Sequence, residues 1–505
     1  MSGTLQKKNF LGQEPVIPLL FAYRSHFLYL FFRLSAIIIC CLCITTTCLA
    51  QDFSLIHSGT SYDAFENPVQ QSFIQEKSKK YSLNILPSIS ADFAFSGDAE
   101  ASFKNLIFGE AIRTSNLSSD RHNLLDADFN LYLIQFRIYK DWEYHKEMGF
   151  SLQVRNQTQG DVPNSTIAFL NNYQNFNGGN YSSVFNGVAR NQLFYQLGFS
   201  YRENYNKKWA FGGKISFLAG VLNTDMEVER SSLEVFDDRV SARFSGRYNS
   251  SFGTQDLEGR TFIPSLKNPG ASLSLGTSYT TKNRFYFSLN LKDLGFIHWG
   301  DSLSRYRLQN TEVVVSTFER NSIQSDFSSN FGRAIKESQE SGSGTSKLSP
   351  QLTFAVSKYY GPYHLVFVLD QFVLNRQQSR IALLNNYNYR RISFGLNGFY
   401  HLDHGFNLGT HFMVKSENTE FYIGTEKLIS SYALGKSFVK DDPSIAENSP
   451  IAANIYLGLN IKFGRVVNSP PQADFIDGLN DEETGYIYRL NNKEKRSIRR
   501  RSPKK

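Results

Sequence analysis

The chain has 505 residues and a formal net charge of +8, with 43 Phe and 27 Tyr against 3 Trp, and 4 Cys. Hydrophobic residues at 41% and charged residues at 20% exclude a bundle of membrane helices, and the aromatic density excludes a disordered chain. At roughly 150 residues per domain the length predicts about three soluble domains, a rule that barrels escape.

The positive charge sits at the two ends. Residues 1–50 carry a net +3, residues 493–505 a net +7, and residues 51–492 a net −2. A fold that grips nucleic acid needs a positive face on its folded part, so no nucleic-acid partner is expected.

Residues 1–50 read as a leader. After Arg33 comes an apolar run, 34–50, that holds all four cysteines, Cys40, Cys41, Cys43 and Cys48, and ends at Ala50. A basic flank, an apolar core and a small residue at the cut make a secretory signal peptide, with cleavage expected between Ala50 and Gln51. Disulfides, thiolate metal sites and thiol nucleophiles then leave the mature chain together. A retained anchor helix is the alternative, and Thr45-Thr46-Thr47 disfavours lipidation at Cys48. Because 32 residues precede Arg33, translation is expected to begin nearer Leu28 or Leu30, from a non-AUG codon.

Residues 51–80 precede the first strand. The stretch Glu66 to Phe73 contains Asn67-Pro68, a turn signal. It reads either as a linker or as a plug inside a lumen, and the domain division takes 51–80 as a plug.

From residue 81 the pattern has period 2. Leu83, Ile85, Ile89, Phe93 and Phe95 open the series, and Tyr132 to Ile138, Met148 to Val154, Leu193 to Tyr201 and Trp209 to Phe217 continue it. Leu273 to Tyr279, Phe285 to Leu291, Leu352 to Val356, Tyr363 to Leu369 and Ile392 to Tyr400 follow. Phe406 to Val414, Phe421 to Ile423 and Ile455 to Phe463 end it. These runs exceed the ordinary strand length of ~5–6 residues and match the ~9–11 that a tilted membrane strand needs. One face is apolar and aromatic, the other Ser, Asn, Gln, Lys and Arg. Periodicity alone cannot tell inward from outward. The export signal, the strand length and the aromatic content favour an apolar face in lipid and a polar face in the lumen of a closed barrel.

The runs number thirteen. A bacterial barrel takes an even count, so about 14 strands (12–16) are expected. The missing one is placed between Leu222 and Tyr248 or between Tyr306 and Phe318. Short connections at 140–146, 203–207, 281–283, 361–362 and 401–404 read as periplasmic turns. Segments 96–126, 158–190 and 296–349 read as outer loops, with 321–349 flexible.

Asn67-Pro68 resembles the Asn-Pro-Ala hatch motif of the fatty-acid transport (FadL-like) barrels of outer membranes, with Val69 in place of the usual Ala. Phe211 to Gly220 and Lys292 to Trp299 are similar to segments of a family of uncharacterised outer-membrane proteins from Bacteroidota, itself similar to the fatty-acid transport barrels. The resemblance runs over most of 51–464. It implies fold and location, and no binding residue is carried over.

Other clusters read blandly. Asp293 and His298 lack a nucleophile within a recognisable motif, so Asp293-Leu294-Gly295 is taken to shape a strand end and Trp299 to anchor at the membrane interface. His401, Asp403, His404 and His411 could ligate a metal, but a solvated turn is expected. Phe463 ends the last strand, as the aromatic that barrel-assembly machinery recognises. Residues 465–505 read as a disordered periplasmic tail whose basic end suits anionic surfaces.

The expectation is therefore an all-β transmembrane barrel at 81–464, in the outer membrane of a Gram-negative cell. Its function is passive passage of a small solute, a hydrophobic one among the options, or alternatively a non-transport scaffold or accessory for a secretion or surface-attachment complex. No enzyme activity, cofactor or metal is expected, the partners are outer-membrane lipid and the assembly machinery, and the oligomeric state is open.

Overall fold

The structure, a computed structural model, describes residues 58–72, 79–100, 103, 121–141, 145–171, 176, 178–251, 262–316, 323–337, 339–373, 379–402, 405–440, 442, 449–464, 473–475 and 486–488. The leader with its Ala50/Gln51 cut, Phe73, Asp403 and His404 lie outside these residues.

A short helix, α1 (Ser61–Glu66), comes first, followed by β1 (Tyr81–Ser96), β2 (His122–Asp141), β3 (Lys146–Pro163), α2 (Asn164–Asn171), β4 (Gly179–Ser182) and β5 (Gly187–Asn204). Next come β6 (Trp209–Val235), β7 (Arg239–Ser250), β8 (Pro269–Thr280), β9 (Tyr286–Ser316), α3 (Ile323–Glu337) and β10 (Gln339–Lys347). The chain continues as β11 (Gln351–Tyr360), β12 (Tyr363–Phe372), β13 (Arg380–Tyr389), β14 (Ile392–His401), β15 (Gly405–Lys415), β16 (Thr419–Thr425), α4 (Leu428–Lys440) and β17 (Ile451–Phe463). In the tail β18 (Ala473–Phe475) pairs with β19 (Tyr486–Tyr488).

Antiparallel pairings run from β1 to β2, β3, β5, β6, β8, β9 and β11. They continue in sequence order from β11 to β17, and β17 returns to β1. The large sheet is thus a ring. Closure leaves no open edge along the circuit, the condition for a sheet to stand without water on its backbone groups.

Tight turns at 205–208, 361–362, 390–391 and 416–418 gather at one end, where the ring also receives Tyr81 and releases Phe463. His401 and Gly405, expected to flank such a turn, stand at the opposite end, because β14 reaches His401 running away from the tight turns. Of the strands absent from the sequence reading, β7 (Arg239–Ser250) falls in the first of the two expected gaps, while β13 lies in neither. Its inward Ala382 and Leu384 and outward Ile381 and Leu383 fuse into one apolar run, which hides the period of 2.

The two expected gaps are filled differently. β6 has 27 residues and β9 has 31, or roughly 90–100 Å of chain at about 3.3 Å per residue. Their outer halves rise beyond the ring. There β7 takes the slot that β8 occupies below, pairing with both β6 and β9. β4 adds to the far end of β6, and β10 to the other edge of β9. The expected flexible loop 321–349 is therefore α3 and β10. Gly342 and Gly344 lie flat in that strand against β9, where a Cβ on Gly344 would come within 2.5 Å of Leu303. This hood has its own core, with Phe169 of α2, Val240 and Phe244 of β7, Leu308 and Val313 of β9 and Phe327 of α3 buried together.

Candidate functional site

Strand alternation decides what faces the lumen. On β12, Leu365, Phe367 and Leu369 are exposed outside while Val366, Val368 and Asp370 are buried within. The same outward face carries Phe199, Ile215, Leu383, Phe394 and Phe406, each more than half exposed. A band of this size is far beyond the apolar patches that soluble monomers expose. At the tight-turn end the outward aromatics form a row. Tyr81 stacks on Phe136 at 5.8 Å and meets Phe463 at 5.5 Å, Trp209 meets Tyr279 at 4.7 Å, and Tyr363 meets Tyr387 at 5.0 Å. Phe463 is thus part of the row and faces outward.

The expected polar lumen is found on β3, β5 and β8, and on β11–β15 it is mixed, with Thr353, Asp370, Arg380, Asn386, Asn397 and His411 buried beside apolar side chains. There Ala355, Val366, Val368, Ala382, Leu384, Phe399 and Met413 point inward. What they meet is the segment 58–72, buried throughout except for Gln71. The described residues 58–72 thus fill the inside of the ring as a plug-like core with these strands.

The plug is a capped single turn. Thr60 accepts the amide of Asp63 as N-cap. After α1, Asn67 closes a turn: its amide donates to the Asp63 carbonyl at 2.8 Å, its carbonyl accepts from the Gln70 amide at 2.9 Å, and its side chain faces the Val69 amide at 3.4 Å. The turn sits in a notch. Gly212 of β6 and Gly276 of β8 are ladder partners. A Cβ on Gly212 would stand 2.1 Å from the Pro68 carbonyl oxygen, and one on Gly276 3.0 Å from Val69. Only glycine allows so close an approach of backbone to backbone. Phe65 likewise needs Gly149, where a Cβ would lie 2.7 Å from its ring. Tyr62 and Phe65 pack on Tyr132 at 5.6 and 6.1 Å, and Tyr62 on Tyr422 at 5.9 Å.

Charge fixes the plug at three points. Glu66 forms an ion pair with Lys292 and accepts from Asn130 at 2.9 Å and from the Tyr132 hydroxyl. The Ser61 amide donates to Glu420 at 2.6 Å, and Glu420 pairs with Lys462 at 2.9 Å. The Ser72 hydroxyl donates to Glu147 at 2.8 Å, and Glu147 pairs with Arg137 at 3.1 Å. In addition Lys214 donates to the Phe65 carbonyl at 2.9 Å, and Arg202 to the Val69 carbonyl at 2.8 Å.

A bulge makes the first of these points. Two residues of β9, Lys292 and Asp293, stand opposite the single Ser274 of β8, between the pairs Leu275–Leu291 and Leu273–Leu294. Asp293 takes φ 55° and donates its amide to the Ser274 hydroxyl at 3.0 Å. Consecutive side chains normally alternate across a sheet, and the extra residue lets both face the lumen. Lys292 then reaches Glu66 while Asp293 pairs with Arg155.

Burial alone would raise the Glu66 carboxyl, but the charges of Lys292, Lys214 and Arg155 outweigh it and hold Glu66 ionised, below its ordinary value. Asp63 is the opposite case. Burial pushes it up to about 8, only partly offset by the Ser58 hydroxyl and the Gly59 amide, at 2.7 and 3.0 Å.

Several residues singled out in the sequence have other places than expected. Trp299 is not at an interface: it is fully buried with Phe194, Leu218, Ile297 and Leu348, and its indole donates to Ser346 at 2.7 Å. Asp293 faces in and His298 faces out, so they do not meet. His401 and His411 are not in a solvated turn; both are buried on strands, and His411 contacts Asn386 at 2.5 Å and Asn397 at 3.2 Å. No site role was read from the sequence for Lys214, Lys292, Arg155, Glu147 and Glu420, although each is a charge that the strands turn inward.

Beyond the plug, away from the tight turns, lies a cavity of about 680 Å³. Its wall comes from β3, β5, the outer halves of β6, β7 and β9, and β10, including Gln157, Arg190, Asn223, Arg247, Arg305 and Lys347.

The model of a family of unknown function, DUF5723, matches residues 73–426, and the chain belongs to that family. Three solved structures are similar at low scores. They are the ferric-catecholate import receptor Fiu of K12 E. coli in its closed form (8% identity, 84% of this chain and 69% of that chain, TM-score 0.19), the P pilus usher PapC translocation pore (7%, 77% and 99%, 0.19), and the copper transporter OprC (8%, 78% and 82%, 0.21). At TM-scores this low the likenesses carry nothing about what this chain does. No curated protein sequence matches it.

Proposed function

We propose that this DUF5723 member is an outer-membrane β-barrel of fourteen strands that passes a small solute when the segment 58–72 leaves its seat. The ring of pairings, the outward band of Leu, Phe and Tyr, and the aromatic row at one end support the membrane reading. In water that band would leave the barrel with a large unpaired apolar surface; in lipid it is matched. The tight-turn end, where Tyr81 enters and Phe463 leaves, is then periplasmic, and the hood stands outside the cell. The leader ending at Ala50 supplies export, and Phe463 serves as the assembly signal.

The observation that carries the transport reading is the lumen's arrangement: a plug docked through ion pairs and glycine notches, with a cavity of about 680 Å³ beyond it. A plug held by charge can be released by a competing charge or partner, which a seamless apolar core would resist. The cavity is lined by amides and guanidinium groups, so a polar cargo fits it better than a hydrophobic one. Solute flux into proteoliposomes tests the reading. A variant lacking 58–72 should pass small sugars that the intact protein holds back. Equal flux in both would sink it.

A second reading, a scaffold in a secretion or surface-attachment complex, is favoured by the hood, whose separate core is more than a pore requires. Protein partners retained in stoichiometric amount through detergent purification, with no flux from the plug-deleted form, would favour it over transport.

A further inference from the structure

The cavity beyond the plug has an unusual balance of charge. Arg190 is neutralised by Asp225 at 3.0 Å and Arg247 by Glu227 at 2.8 Å. Arg305, Arg307 and Lys347 line the same cavity with no carboxylate within ion-pair distance among the described residues, and Glu340 is the one acid left on that wall. Arg305 and Arg307 are two apart on β9, so both face the same side, about 7 Å apart along the strand. Arg307 is the ladder partner of Arg247 on β7. Like charges placed directly opposite destabilise a sheet; on the other edge of β9 Arg305 is the ladder partner of Glu340 of β10, and Arg307 has no such acidic neighbour in the pairings.

The neutral part of the wall is equally one-sided. Gln157, Gln159, Gln192, Asn223 and Asn249 present amides, and Trp299 and Tyr306 add aromatic edges. Such amides both donate and accept, as hydroxyl groups do. An amide wall of this kind suits an occupant with hydroxyl groups. Guanidinium pairs recognise phosphate, sulfate or carboxylate bidentately, and the low-dielectric walls focus their field on the cavity.

We propose that this vestibule is a binding site for a small acidic sugar, a hydroxyl-rich ring bearing a phosphate or carboxylate, held by Arg305, Arg307 and Lys347 with its hydroxyls on the amide wall. The proposal rests on the reading of the lumen as a solute path, and it names the solute's class.

The test is equilibrium binding to the intact protein in detergent at low salt, with glucose 6-phosphate, glucuronate, glucose and inorganic phosphate as probes. Glucose 6-phosphate or glucuronate should bind at least tenfold more tightly than glucose or phosphate, and the affinity should fall with salt. Arg305→Gln/Arg307→Gln should lose at least tenfold, whereas Lys282→Gln, at the tight-turn end, should bind as the parent does. If the double variant does not fold, Arg305→Lys/Arg307→Lys keeps the charge and loses the forked geometry, and should bind more weakly than the parent. Failure of the intact protein to bind either acidic sugar above glucose, or unchanged binding by the arginine variants, overturns the proposal. Flux through the plug-deleted form without acidic-sugar binding overturns this inference alone. Binding without such flux leaves the site standing and removes the transport reading.

Discussion

Glu66 is the most exacting test of how the plug is held. Its carboxylate and the Lys292 ammonium are 1% and 4% exposed, and Lys214 and Arg155 lie close enough to depress its pKa. Glu66→Ala leaves these three cations with Asp293 as the acid among them, and it strips acceptors from Asn130 and Tyr132. Removing one partner of a buried ion pair costs about 3–5 kcal/mol. When the plug undocks the cations regain water, so most of that cost falls on docking. At ~1.4 kcal/mol per factor of ten the undocked population should rise between about a hundredfold and a few thousandfold. The natural cysteines are Cys40, Cys41, Cys43 and Cys48, all in the leader. In a form without them, Ser61→Cys is a unique, fully buried thiol on α1. Its maleimide labelling rate reads the open fraction directly. The rate should rise in proportion when Glu66→Ala is added. Glu66→Met/Lys292→Met, which replaces the pair by apolar groups of similar length, should return it to within about tenfold of the parent. Equal labelling with and without Glu66→Ala would refute the reasoning, for the ion pair would then contribute nothing to the seat.

Other outcomes follow from the same geometry. Gly212→Val drives a side chain into the Pro68 carbonyl, so the plug should be expelled while the ring keeps its heat-resistant migration in detergent gels. Asp63, raised to about 8 by burial, is neutral when docked up to that pH, whereas a free Asp ionises near 3.9. Docking should therefore be tightest below about pH 4, weaken as pH rises from 4 to 8, and level off above 8. Asp63→Asn should flatten that part of the labelling-against-pH profile. Leu383→Lys, on the outward face of β13, should cost about 2–4 kcal/mol of stability in urea titrations in lipid vesicles, and Asn385→Lys, nearer the tight-turn end, less. Trp299→Ala should cost about 3–5 kcal/mol, since the ring is fully enclosed within the barrel.

Much of the ring was legible because a strand with one apolar and one polar face has a fixed period. β3 over Met148–Val154 and β17 over Ile455–Phe463 show it without interruption, and the strand lengths speak for a wall taller than an ordinary sheet. Where both faces are apolar, as at Ala382 and Leu384, the period vanishes and β13 was lost. Position along a strand is the second blind spot. Trp299 looked like an interface residue because Trp often is one, yet the bulge at Lys292-Asp293 and the long rise of β9 put it inside the barrel. Gly342-Ser343-Gly344 looked like a loop because its composition is that of a linker, and an existing strand edge made it pair.

By itself the sequence determined the class of fold, the place of most strands, and the seclusion of charge and cysteine at the chain's ends, because all of these follow from composition and local periodicity. It also marked Asn67-Pro68 as a turn, since proline constrains the residue before it. The direction of the apolar face was left to tertiary structure, because alternation is the same whether a strand faces a core or a lipid. So was the occupant of the lumen. Glu66 and Lys292 are 226 residues apart, and only the closed ring, with a glycine notch at 212 and 276 and a bulge at 292–293, makes them neighbours.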